Sequence, residues 1–267
     1  MGQENNRPLI LVTNDDGYRA RGLRTLTDIA AEFGDVVAIA APDSQSGMSH
    51  AITIKYPLRL RHVEDSKRMR RYVVNGTPVD GVKLAMASIL DRRPDLVLSG
   101  INHGSNASSS VVYSGTMAAA MEGAVNHIPS VGFSLLDYRH DADFQASVPY
   151  IRKIIGDVLR DGMPDGVCLN VNIPAVSAEE MEGVRLCRQA SGYWQEEFDV
   201  RKDPSGREYF WLTGYFFNRE EEAEDTDEWA LRHNYVSVVP VKVDLTDYKT
   251  LSMLKKWETK KVNNESR

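Results

Sequence analysis

Leu9-Ile10-Leu11-Val12-Thr13-Asn14-Asp15-Asp16-Gly17-Tyr18 reads as an apolar strand that runs straight into two adjacent carboxylates. An unbroken apolar run of this length suits a strand covered on both faces. Neighbouring carboxylates at its end repel each other, and withdrawing either from water costs more still. A cation removes the conflict. Hard oxygen ligands in an open position suit Mg²⁺ or Mn²⁺, an ion that holds a phosphate or activates a water. The competing reading makes Asp15 and Asp16 turn or N-cap residues ahead of a helix, where Asp and Asn are common. On the pair alone the two readings balance. Their place at the end of a buried strand, with Gly17 next, tilts the balance towards a ligand site.

Outward from that stretch, strand-like segments at 8–13, 36–40, 71–75, 95–99 and 128–134 alternate with helix-like segments at 20–33, 77–90 and 114–125. Thr77 has the character of an N-cap, with Pro78 at the first helical position and Asp80 at the third. Such alternation predicts an α/β fold with a doubly wound parallel sheet and right-handed crossovers. Ligands in that architecture sit outside the carboxyl ends of the strands, where strand order reverses. The polar clusters Asn14–Gly17, Pro42–Gly47 and Ser99–Gly104 all fall at such ends.

The second half is organised differently. A helix at 144–160 precedes a strand at 167–173, and 184–190, 193–200, 207–213 and 235–244 look extended. Asp203-Pro204-Ser205-Gly206 is a turn signal, so 193–213 reads as a long hairpin, in which Tyr193, Trp194, Tyr209, Phe210 and Trp211 serve packing or subunit contact, with base stacking the lesser alternative. The acidic run Glu220 to Glu228 reads as a solvated loop. Leu251, Leu254 and Trp257 recur at spacing three on a charged background and predict an amphipathic C-terminal helix that docks on its own core or on another subunit. The expected organisation is one domain over 1–267, with its core at about 8–190 and 235–246, a hairpin extension at about 191–234 and an arm at 247–267.

Among 267 residues, 32 basic side chains stand against 38 acidic ones, a formal charge of −6. That balance argues against a broad nucleic-acid or anionic-membrane surface, so an anionic substrate needs local cations or backbone N–H groups. No run reaches transmembrane length, the first eight residues have no signal-peptide core, and Cys168 and Cys187 read as buried reduced thiols. A cytoplasmic protein is expected. The six histidines show no zinc spacing, and GxGxxG, GxSxG and an intact P-loop are all missing.

Ser46 and Asn102 are ordinary loop residues when taken singly. Their shared place on the predicted carboxyl rim gives them a second reading: a hydroxyl and an amide carbonyl are neutral oxygen ligands that complete a shell begun by two carboxylates. Ser114-Gly115-Thr116 opens a helix that continues into Met117-Ala118-Ala119-Ala120. Simple N-capping accounts for it; the functional reading adds phosphate binding by the free N–H groups of the first turn. Asn106, in the preceding loop, has an amide to donate.

Five ordered blocks, Ile10–Tyr18, Ala41–Gly47, Gly76–Asp80, Ser99–Asn106 and Tyr113–Ala120, resemble the SurE survival proteins, metal-dependent 5′/3′-nucleotidases. Weaker similarity continues through Asn170–Pro174 and Tyr235–Val238 to Asp244-Leu245-Thr246. The resemblance implies a Rossmann-like sheet with a projecting hairpin, a C-terminal arm exchanged within a homodimer or homotetramer, and metal ligands at Asp15, Asp16, Ser46 and Asn102. It also implies removal of phosphate from nucleoside 5′- and 3′-monophosphates, and in some members action on short polyphosphate. Ala107-Ser108-Ser109-Ser110 departs from the family, which often has glycine there.

The expected function is therefore a phosphomonoesterase with one divalent ion, Mg²⁺ or Mn²⁺. Asn106, Ser114, Gly115 and Thr116 bind phosphate, Asn14 positions phosphate or water, and Asp15 is a ligand, a base or a nucleophile. Direct attack by water is favoured, since the aspartyl-phosphate motif DxDx(T/V) is missing. A non-catalytic nucleotide sensor built on the same cradle is the alternative, and a metal-dependent glycosyltransferase a third.

Overall fold

The structure, a computed structural model, describes residues 7–66 and 68–258. The chain enters at β1 (Leu9–Thr13), turns through α1 (Arg21–Phe33) into β2 (Asp35–Ala40), and reaches the sheet edge with β3 (Leu60–Ser66) and β4 (Met69–Val74). Helix α2 (Pro78–Ser88) carries it back to β5 (Leu96–His103), and α3 (Gly115–Val125), β6 (Ser130–Leu135), α4 (Val148–Asp161) and β7 (Val167–Ile173) follow on the other side. The remainder is β8 (Gly183–Leu186), the hairpin β9 (Gly192–Lys202) and β10 (Glu208–Asn218), α5 (Asp227–Arg232), β11 (Tyr235–Lys242) and α6 (Tyr248–Leu254).

Nine of these strands form one sheet in the order β3-β4-β2-β1-β5-β6-β7-β11-β8, and β9 pairs only with β10. The six strands from β4 to β7 run parallel; β3 is antiparallel to β4, and β11 antiparallel to β7. The alternation of β1 explains the layers. Ile10 and Val12 face one side, where they join Leu23, Leu26 and Ile29 of α1 and Ile151 and Ile155 of α4. Leu9 and Leu11 face the other, with Val82 and Ala85 of α2 and Ala119 of α3. Each large side chain fully buried in these layers stabilises the fold by about 1.5–3 kcal/mol.

Strand order reverses between β1 and β5. The chain leaves β1 towards β2 and leaves β5 towards β6, so their carboxyl ends open a crevice. Helix α1 lies close to β5 here: a Cβ on Gly22 would sit 2.1 Å from the Ile101 carbonyl oxygen. The capping box at Thr77 is present in full, with the Asp80 N–H on Thr77 Oγ1 and the Thr77 N–H on Asp80 Oδ2.

Several expectations are corrected. Strand β3 went unread because every residue of Leu60–Ser66 is exposed and no apolar alternation marks it; it is a charged edge strand. The acidic run is not wholly a solvated loop. Thr226 caps α5, and Asp227 is fully buried against backbone N–H groups that attract its charge. Strand β8 ends at Leu186 rather than near 190, and the hairpin strands run longer than expected, to Lys202 and Asn218. Helix α4 begins at Val148, after a 3₁₀ turn over 145–147. The C-terminal helix forms over Tyr248–Leu254 with a 3₁₀ turn to Trp257, and none of its residues is buried. The arm's last residues, 259–267, lie outside the described residues. Both cysteines are buried and unbridged, and burial pushes the Cys168 thiol up to about 12. No helix among the described residues is long and apolar enough to cross a membrane.

Because the Gly22 contact is with backbone on a central strand, the clash cannot be relieved by a rotamer. Gly22→Ala is expected to cost about 1–3 kcal/mol, read as a lower urea midpoint at unchanged slope. Arg21→Ala, at the exposed neighbouring position, should move the midpoint by no more than about 0.5 kcal/mol.

Candidate functional site

A cleft of about 350 Å³ lies over the reversal point, and Asp15, Ser46, Asn102, Asn106 and Ser114 all line it. Five residues picked from four separate sequence blocks therefore share one cavity. Asp16, Asn14, Gly115 and Thr116 adjoin Asp15 and are not among the residues that line the cleft.

Asp15 is the centre of the arrangement. Its side chain is 4% exposed, and one oxygen accepts a 2.5 Å hydrogen bond from Thr116 Oγ1. Burial pushes its carboxyl above the ordinary range, against the pull of the Thr116 hydroxyl and backbone N–H. The N-cap reading of this pair fails. Helix α1 is capped by Ala20, with no side-chain cap at all. Helix α3 instead presents its N-terminus to Asp15, closely enough that a Cβ on Gly115 would lie 3.1 Å from Asp15 Oδ2. Asp16 accepts from the His103 N–H at 3.3 Å, and burial together with the Asp15 charge raises its carboxyl to about 6. Asn14 is fully buried; its Nδ2 donates to the Gly17 carbonyl, and its Oδ1 has no partner among the described residues. Gly17 turns the chain at φ +98°.

Two backbone bonds bring the second loop to this turn: Tyr18 N–H to Ala41 O at 2.8 Å, and Gln45 N–H to Asp15 O at 2.7 Å. They hold Ser46 at the rim, its hydroxyl 2.8 Å from that of Ser44. Asn102 arrives from β5, whose register with β6 slips between Ser99 and Asn102. Gly100 makes the slip possible, at φ +122° with the Phe133 carbonyl where a Cβ would be. Asn102 Nδ2 donates to the Gly104 carbonyl, which leaves its Oδ1 as an acceptor.

The third loop carries Asn106 and Ser114, and sequence reasoning missed how it is held. Asn106 Nδ2 donates to Ser134 Oγ, its N–H to Asn172 Oδ1, and its carbonyl accepts from Asn170 Nδ2. Asn170 and Asn172 alternate on β7 and bond to each other at 2.9 Å. Asp227 ties the loop to the base of the hairpin, accepting from Ser108 N–H at 2.8 Å and Ala190 N–H at 2.9 Å. An Asn-x-Asn pair on a buried strand was the available signal; for Asp227, a helix start inside an acidic run gave none. Ser114 caps α3 by accepting from Met117 N–H, and the Thr116 hydroxyl is engaged by Asp15 rather than facing the cavity.

The electrostatics are one-sided. No lysine or arginine lines the cleft among the described residues. Nor do those residues contain a cluster of three His, Cys, Asp or Glu side chains fit for a metal. A buried carboxylate, a half-buried one whose only basic neighbours among the described residues are His103 and His140, a hydroxyl and an amide oxygen form an oxygen-only donor set that suits a hard divalent cation.

A profile of the family described as survival protein SurE matches residues 10–196. The protein named 5′-nucleotidase SurE in Flavobacterium psychrophilum is 50% identical over 257 residues, which span 96% of this chain and all of that one. Its counterpart of the same name in Christiangramia forsetii is 52% identical over 253 residues, 94% of this chain and 97% of that one. The crystal structure of the SurE protein from Aquifex aeolicus superposes with a TM-score of 0.81 at 37% identity, covering 94% of this chain and all of that one. With the profile running through all three site loops and the fold shared nearly end to end, the chain belongs to the SurE family.

Proposed function

We propose that this chain is a metal-dependent nucleotidase that hydrolyses nucleoside 5′- and 3′-monophosphates to nucleoside and phosphate. The observation that carries the reading is Asp15: a buried carboxylate, flanked by a second, fixed by Thr116 and faced by the N-terminus of α3, in a cleft that no lysine or arginine lines among the described residues. The names of the relatives support the same activity. Asp15, Asp16, Ser46 and Asn102 would hold one Mg²⁺ or Mn²⁺, and their oxygen-only donor set fits such an ion. When bound, the ion supplies positive charge against the phosphate and lowers the pKa of a nearby water.

The chain's own groups do the rest. The Gly115 N–H and the partial positive end of α3 bind the phosphate oxygens, with Ser114 and Asn106 at the wall of the same cleft. Thr116 acts one step back, holding Asp15 in a single orientation. Asn14 Oδ1 is a buried acceptor suited to orient the attacking water. That water adds to phosphorus, the ester P–O bond breaks, and the nucleoside oxygen leaves with a proton. The bond from Thr116 occupies one oxygen of Asp15, which favours a ligand and positioning role over a phospho-enzyme.

We further infer that copies of the chain associate through the hairpin and the C-terminal arm. A two-stranded ribbon is marginal alone, yet β9 and β10 expose Phe198, Phe210, Trp211 and Leu212, each more than half exposed. Light scattering should report a dimer or tetramer, and Phe210→Asp should lower the mass; a monomer for the unaltered chain would overturn the inference.

Asp15→Asn and Asp16→Asn should each reduce kcat for adenosine monophosphate by about 100-fold or more, with chelator abolishing turnover of the unaltered protein. Full chelator-insensitive turnover in either variant would sink the assignment. Stability should respond in the opposite direction. Without metal, folding holds the Asp16 proton to about pH 6, whereas the ordinary value is 3.8. The folded state therefore binds more protons between those values, and this contribution, complete below 3.8, is lost as pH rises through about 6. Chelated protein should lose roughly 1–3 kcal/mol from this group between pH 4 and 7, and Asp16→Asn should remove that loss in urea titrations.

A further inference from the structure

The cleft has two chemically distinct ends. One is the polar end built from Asp15, Asn102, Asn106 and Ser114. The other is walled by Trp194 and Leu212 of the hairpin and by Tyr138, and several of its polar atoms are engaged. Thr213 Oγ1 donates to the Glu197 carbonyl at 2.9 Å. The Tyr138 hydroxyl accepts from the Ser105 N–H at 3.4 Å, with its ring lying against Gly104, where a Cβ would meet Cε1 at 2.2 Å. Trp194 Nε1 donates to Ser110 Oγ at 3.2 Å. Besides the hydroxyls of Tyr138, Ser110 and Tyr113, what this end offers a ligand is the faces of its rings.

Trp194 is the better placed of the rings. Phe216, opposite it in the hairpin register, meets it edge-on with centroids 6.2 Å apart, and 40% of its surface remains open. Its one polar atom is bonded to the loop that also carries Asn106, so the indole is held at a fixed offset from the phosphate end. An indole pinned by its N–H with an open face is a stacking surface, and a purine or pyrimidine supplies the matching face whatever groups its edge bears.

We propose that Trp194 holds the nucleobase of the bound monophosphate by stacking, and that this contact rather than hydrogen bonds to the base edge sets the preference for nucleotides over base-free phosphate esters. The inference rests on the nucleotidase reading above. It makes the hairpin part of the substrate site and not only an element of assembly.

The test compares kcat/KM for adenosine monophosphate and for ribose 5-phosphate, in the unaltered protein and in Trp194→Ala, Trp194→Phe and Ser110→Ala. The unaltered protein should prefer the nucleotide. Trp194→Ala should reduce that preference about 10- to 100-fold, the factor one base–aromatic stack supplies, chiefly through KM. Trp194→Phe should restore most of it, and Ser110→Ala, which unpins the indole, should fall between. Three outcomes would overturn the proposal: no preference in the unaltered protein, a preference unchanged in Trp194→Ala (an equal loss on both esters included), or no rescue by phenylalanine. If the unaltered protein cleaved neither ester with Mg²⁺ or Mn²⁺ supplied, the nucleotidase reading itself would fall, and this inference with it.

Discussion

The hydrogen bond from Thr116 Oγ1 to Asp15 is the constraint around which the rest of the site is built. It joins the end of the first strand to the first turn of α3, two segments a hundred residues apart in sequence. The approach requires Gly115, since a side chain there would meet Asp15. It also puts a carboxylate where the helix dipole favours negative charge. That favourable field does not offset burial, which still pushes the carboxyl upward. Asp16 beside it adds repulsion to desolvation. The two carboxylates are thus held under a tension that the proposed divalent cation would relieve.

Such tension is sustainable only if the surrounding loops cannot relax. Each is stitched to a rigid element by buried polar bonds: the β1 turn to the β2 loop through Tyr18 and Gln45, Asn102 through the irregular end of β5, and the Asn106 loop through Asn170, Asn172 and Asp227. A buried network of this kind is stabilising only when its members are satisfied. Asp227 meets that condition with three backbone N–H donors, from Ser108, Ala190 and Glu228. It links the phosphate loop to the hairpin base without touching the cleft.

Most of the parallel sheet was legible in the sequence because strands buried on both faces leave an apolar run that composition alone reveals, and helices α1 and α4 announce themselves by spacing. The site residues were legible because this architecture places function at strand ends, so polar clusters there stood out; their family resemblance added the rest. What stayed hidden was set by tertiary context. Leu60–Ser66 pairs at an edge with no buried face to pattern it. Asp227 reads as one more acid in an acidic run until folding surrounds it with N–H groups. Thr116 reads as a helix-start residue, and only the packing of α3 on β5 and β6, which brings its N-terminus to the end of β1, turns its hydroxyl to Asp15. Both readings of Asp15-Asp16 were open on sequence; Ala20 at the start of α1 removes the N-cap reading, while the pair does sit at a turn.

The hairpin divides its labour along its length. Near its base, Trp194 reaches the cleft and bonds to Ser110, and Leu212, midway along the ribbon, reaches the cleft as well. Towards its tip, Phe210 and Trp211 stand more than half exposed on a ribbon that pairs with no other strand. Chemistry at the sheet needs fixed geometry to within fractions of an ångström, which strands and a helix terminus supply. Recognition of a flat ring needs only a surface at the right height, which a ribbon tolerates varying. On the proposed reading, with the base contact on the ribbon and the phosphate contact on the sheet, substitutions in β9 and β10 would change substrate preference without disturbing the buried carboxylate of Asp15. The same arrangement also couples the two: a second copy that covers the exposed aromatics would stiffen the strand carrying Trp194, so assembly and base affinity are expected to rise together.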